Sequence, residues 1–160
     1  MTRFIISLII IAALNSKDKF ANQKSEVTLH HISVDTSLYC VFQYSNSMYR
    51  MFKNVKPASL STVEIDSLEP IILHATRKYN SSLKNPAERL HSLNQYKRQY
   101  VAVTTRNGQK EVWINFLCDV KNVQWRRNIV FTKDGGSCFF SLVVNLSSHH
   151  YYHLFVNGDA

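Results

Sequence analysis

The residues best suited to chemistry in this chain are its histidines and cysteines. "SHHYYH", Ser148 to His153, gathers His149, His150 and His153. On a helix, His149 and His153 would share a face one turn apart and bind one metal ion. In an extended strand they stand ~13 Å apart and need a turn or a second chain to meet on one ion. The surrounding residues favour a strand, so the expectation is a polar hairpin end with no metal and no cofactor, and His30-His31 reads the same way. Cys40, Cys118 and Cys138 are too widely spaced for a zinc knuckle or a C-x-x-C redox pair. Either Cys118 and Cys138 form a disulfide and leave Cys40 free, or all three are buried thiols acting as small hydrophobes. "DGGS", Asp134 to Ser137, leads into a strand rather than opening a helix, so it reads as a turn and not as a phosphate loop. "WRRN", Trp125 to Asn128, reads as an amphipathic loop that packs the indole and exposes two arginines.

The elements that must position these groups begin after a leader. Met1-Thr2-Arg3 followed by the apolar run Phe4 to Leu14 has the pattern of a secretory signal, with cleavage near Ser16. That run is too short for a membrane-spanning helix. The expected organisation is therefore a signal peptide over 1–16 and one exported domain over 17–160, in the periplasm or secreted, with no transmembrane span after leader removal. Hydrophobic residues make up 45% of the chain, enough to build a core. Nineteen Lys and Arg against eleven Asp and Glu give a net charge of +8, spread along the chain rather than gathered in a tract. For an exported protein such a surplus points to anionic headgroups, glycans or an envelope protein, and not to nucleic acid.

"EVTLHHISV" and "SLYCVFQY" suggest one or two early strands. Ile65, Leu68, Ile72, Ala75 and Tyr79 recur at helical spacing. Ser61 and Glu64 have capping-box spacing, but Pro70 would then lie inside the helix, so the regular helix is expected from about Ser67 to Tyr79. Asn85-Pro86 starts a second short helix. "YVAVTTRNGQKEVWINF", Tyr100 to Phe116, is a hairpin around Asn107-Gly108. A two-residue type I′ loop would set Val103 opposite Val112 and Val101 opposite Ile114. One face then collects Val101, Val103, Val112, Ile114 and Phe116 as core, and the other presents Tyr96, Arg98, Tyr100, Trp113 and Asn115 to a partner. "NIVFTK", "SCFFSLVVNL" and "YYHLFVNG" supply further strands. The expected fold is α+β, one main helix on an antiparallel meander of about four strands.

Tyr79-Asn80, "YKRQY", "VWINF", "DGGSCFF" and the closing "VNGDA" resemble a group of small exported proteins of unknown function from Bacteroidetes-type bacteria, over roughly residues 51–160. That resemblance implies an exported context and no chemistry. The order of helix and strands is also similar to cystatin-like domains at the level of fold, without their Gln-x-Val-x-Gly inhibitory signature. The expected role is a non-enzymatic binding or interaction module of the cell envelope. The alternative is a metal-dependent or thiol hydrolase using the His149, His150 and His153 cluster or a Cys-His pair.

Overall fold

A computed structural model describes residues 34–48 and 51–158. The expected leader, His30-His31 and nearly all of "EVTLHHISV" lie outside the described residues. The single α-helix among them, α1 (Thr62–Ser82), begins earlier than the sequence suggests. The Ser61 side chain accepts from the Glu64 amide, and the Glu64 carboxylate accepts from the Ser61 amide at 2.9 Å, a complete capping box. Pro70 lies inside the helix on its exposed side. It costs the ladder one hydrogen bond, roughly 3 kcal/mol in a helix interior. Burial of Ile65 and Leu68 in the turns before it, together with the cap, outweighs that cost. At the other end Asn80 ties down the chain that follows. Its side-chain amide donates to the Leu90 carbonyl at 3.0 Å and its carbonyl accepts from the Leu90 amide at 2.8 Å. The expected second helix is one 3₁₀ turn, Pro86–Glu88, capped by Asn85.

Six strands form one sheet: β1 (Tyr39–Gln43), β2 (Lys56–Pro57), β3 (Lys97–Thr104), β4 (Lys110–Leu117), β5 (Phe139–Asn145) and β6 (His150–Val156). The order is β1-β3-β4-β5-β6, with β2 pairing the last residues of β3 beyond β1. Strands β3 to β6 make the antiparallel meander, and β1 adds a parallel edge. The architecture is α+β, with six strands where about four were expected. "NIVFTK" is loop rather than strand, because side chains from β3 and β4 take the backbone groups that a neighbouring strand would otherwise pair.

The β3–β4 turn corrects the expected register. Thr105 N–H donates to the Gln109 carbonyl at 2.9 Å and Gly108 N–H to the Thr105 carbonyl at 3.0 Å. Gly108 has φ +75°, whereas Asn107 is not left-handed. A type I′ loop needs positive φ at both central residues, so this is the three-residue hairpin turn with glycine in the left-handed position. The extra loop residue slides β3 by one place: Ala102 pairs with Val112, Tyr100 with Ile114, Arg98 with Phe116, and Val101 with Trp113. The face expected to be one core therefore divides. Val112, Ile114 and Phe116 lie under α1, joined by Tyr96, Tyr100 and Ala102, while Val101 and Val103 point to the far side.

The layer between helix and sheet packs Ile65, Leu68, Ile72 and Ala75 against these residues and against Phe140, Leu142 and Val144. Phe116 and Phe140 stack at 4.0 Å, and the Tyr96 ring stands perpendicular to both. On the far side Val101, Val103, Trp113 and Val143 are covered in part by Tyr44 and Phe52 from the segment after β1. In β6 a bulge opposite Leu142 leaves His153 left-handed, with φ +51°. It re-phases the strand so that Leu154 and Val156 join the helix-side core.

Candidate interaction surface

The five residues expected to share one outward face are buried and lie on opposite sides of the sheet. Tyr96, Arg98 and Tyr100 lie under α1. The Tyr96 hydroxyl donates to the Ser137 carbonyl at 2.6 Å and accepts from the His91 amide at 2.9 Å. The Arg98 guanidinium pairs with Glu69 of α1 and also donates to the Leu93 carbonyl at 3.2 Å, and Arg98 Nε has no hydrogen-bond partner. Tyr100 is fully buried, edge-on to Tyr39, and burial pushes its hydroxyl up to about 12. Arg98 ties the helix to the sheet, and all three groups are buried where a partner cannot reach them.

Trp113 and Asn115 do look away from the helix, and beside them lies a feature that the sequence did not reveal. Asn115 and its cross-strand neighbour Gln99 form a buried amide pair, with Asn115 Nδ2 donating to Gln99 Oε1 at 3.1 Å. Their remaining capacity goes to the loop after Trp125. Gln99 Nε2 donates to the carbonyls of Trp125 and Asn128, Gln99 Oε1 accepts from Val130 N–H, and Asn115 Nδ2 donates to the Val130 carbonyl at 2.8 Å. Further along, Asn157 Nδ2 donates to the carbonyls of Thr132 and Asp134. Buried backbone groups need partners, and a loop over a sheet has no ladder to supply them. These amides supply them instead.

Between its anchors the loop displays Phe131, 69% exposed, with its ring 6.1 Å from that of Trp113. Across the gap stands Phe155 of β6, 63% exposed. Together with Trp113, Asn115, Leu117 and Phe139 they line a cleft of ≈ 220 Å³. Its walls are more apolar than polar, with Thr132, Ser141 and Asn157 beside the aromatic rings. The donors of Asn115 are spent on Gln99 and the loop and those of Asn157 on the loop, so what the cleft offers a ligand is mainly aromatic surface.

The histidines and cysteines are arranged differently. His149, in the β5–β6 turn, has φ +53°, and His149, His150 and His153 are all exposed. Among the described residues, no group of three or more His, Cys, Asp or Glu is placed to hold a metal ion. Cys118 and Cys138 form a disulfide with Cα atoms 5.0 Å apart, fastening the end of β4 to the start of β5. Cys40 is a free, half-buried thiol that donates to the Trp125 carbonyl at 3.4 Å, and burial pushes it up to about 11. It stays protonated at neutral pH, the opposite of an activated nucleophile.

No protein-family model, curated protein or solved structure matches the chain.

Proposed function

We propose that the protein is exported and acts in the cell envelope as a non-enzymatic interaction module, using the Trp113–Phe131–Phe155 cleft to receive an apolar side chain of a partner protein. The observation that carries this reading is the exposure of two phenylalanines on either side of a floor built from buried side chains. Large exposed aromatics gathered around a concave patch are the usual make-up of an interface hot spot. The cleft is smaller than the ~300–1,000 Å³ typical of small-molecule pockets, which suits one anchoring side chain better than a whole cofactor. Pinning the Phe131 loop through three amides reduces the ordering entropy lost on binding.

The leader pattern supports export, and so does the Cys118–Cys138 disulfide, a bond favoured in oxidising compartments. The helix followed by a four-stranded antiparallel meander supports the cystatin-like analogy. The parallel β1 edge departs from a simple meander, and the analogy implies no ligand. The test is capture from envelope extract with the mature domain and with Phe131→Ser, both checked for equal melting temperatures. A protein held by the first and released by the second is the expected result. Identical capture by both would remove the cleft from the account. Concentration-dependent self-association that Phe131→Ser abolishes would replace the foreign partner with a second copy of this chain.

A further inference from the structure

On the opposite side of the molecule, α1 and the β5–β6 turn border a second, open groove of ≈ 530 Å³, lined by Pro70, Ile71, His74 and Lys78 from the helix and by His149, His150 and Tyr151 from the turn and β6. We propose that this groove binds a phosphate group carried on a partly apolar molecule. Its volume falls within the ~300–1,000 Å³ of ligand pockets. Each of its nitrogen-bearing side chains can donate hydrogen bonds, three imidazoles and one ammonium, and no carboxylate lines it. The acidic residues of α1 are engaged elsewhere: Glu64 with Lys110 and the helix cap, Glu69 with Arg98, and Asp66 with the Val34 amide. An anion entering the groove therefore meets donors from two elements and no opposing charge.

Two further features support a ligand here. His149 has a left-handed backbone that glycine or asparagine would adopt at lower cost, and such strain gathers at binding sites. Ile71 and Tyr151 give the groove an apolar wall, with the Tyr151 ring 6.2 Å from that of His74, so the molecule bearing the phosphate has a surface to pack against. Lys78 supplies the fixed positive charge and the imidazoles the directional contacts.

Phosphate chemistry of this kind comes from a lipid headgroup or from a soluble phosphate ester, and two arms of one experiment separate them. Folded domain is titrated with inorganic phosphate and glycerol phosphate to about 20 mM while the imidazole resonances are followed by NMR. It is also sedimented with vesicles of phosphatidylglycerol and, as a control, of phosphatidylcholine. Saturable shifts confined to His74, His149 and His150 in the first arm support a soluble ester. Selective sedimentation with phosphatidylglycerol supports a lipid headgroup. His149→Gly combined with Lys78→Gln, which relieves the turn strain and preserves the fold, should weaken either response by about tenfold. No shift and no vesicle binding, or an unchanged response in the double variant, would overturn the assignment.

Discussion

Asn115 on β4 donates its side-chain amide to the carbonyl of Val130 at 2.8 Å, and with the bonds from Gln99 on β3 it connects the sheet to the loop that displays Phe131. Asn115→Ala removes it together with the contact to Gln99 and leaves the Val130 carbonyl without this donor, while Gln99 Oε1 keeps the Val130 amide. Each such loss costs about 1–3 kcal/mol. Denaturant melts should show a destabilisation in that range. Native-state hydrogen exchange should show faster exchange in 128–132, with β3 and β5 amides less affected.

The pair formed by Arg98 and Glu69 is the more deeply buried of two ion pairs between helix and sheet, the other joining Glu64 to Lys110. Removing one member leaves a charge buried alone, a loss of roughly 3–5 kcal/mol, whereas replacing both with apolar residues of similar size is often neutral. Arg98→Met and Glu69→Leu should each destabilise strongly, and the double variant should recover most of the loss. Urea melts of the three variants measure this as a double-mutant cycle, and additive losses would mean that the two groups do not act together.

Tyr100 and Thr104 together report the β3 register. In the structure Tyr100 is fully buried under α1, and Thr104 is partly exposed at the end of the strand. Tyr100→Ala should cost roughly 3–5 kcal/mol and Thr104→Ala under about 1 kcal/mol. Under the two-residue turn Tyr100 would face outward and the two losses would be similar.

Much of this arrangement is legible in the sequence, and the residues that are not show why. The spacing of Ile65, Leu68, Ile72 and Ala75 identifies the helix, because a 3.6-residue repeat has one apolar face. Its start is obscured by Pro70, whose local cost is visible in sequence while the burial that offsets it is not. The hairpin is announced by Asn107-Gly108, yet that dipeptide fits two turns differing by one residue, and one residue exchanges the faces of β3. The pattern therefore sets Trp113 and Asn115 opposite the helix, as they lie, but sets Tyr96, Arg98 and Tyr100 beside them, whereas these three lie beneath it. "NIVFTK" has strand composition, and the Gln99 and Asn115 amides that hold it as loop lie far away in the sequence. The exposed aromatic cleft followed from that loop and was hidden with it.

Cys40 gives the stability a particular pH dependence. Burial pushes its thiol from 9.0 up to about 11 in the folded protein. As pH rises through 9 the unfolded chain gives up this proton first, so the folded state binds more protons and stability falls between pH 9 and 11. Tyr96 and Tyr100, both held near 12 by burial, extend the fall to higher pH. Cys40→Ala should flatten the lower part of this fall in melts taken between pH 8.5 and 10.5, values chosen to bracket roughly the onset of thiol ionisation. An unchanged slope would mean that the thiol is solvated.

The central functional claim is that the Phe131 and Phe155 cleft meets a partner, and site-specific photo-crosslinking tests it most directly. Benzoylphenylalanine placed at Phe131 should yield a discrete adduct with one envelope protein. The same probe at Val63, equally exposed on the outer side of α1, should yield none. Adducts of equal intensity from both positions, or none from Phe131 in intact cells, would contradict the account.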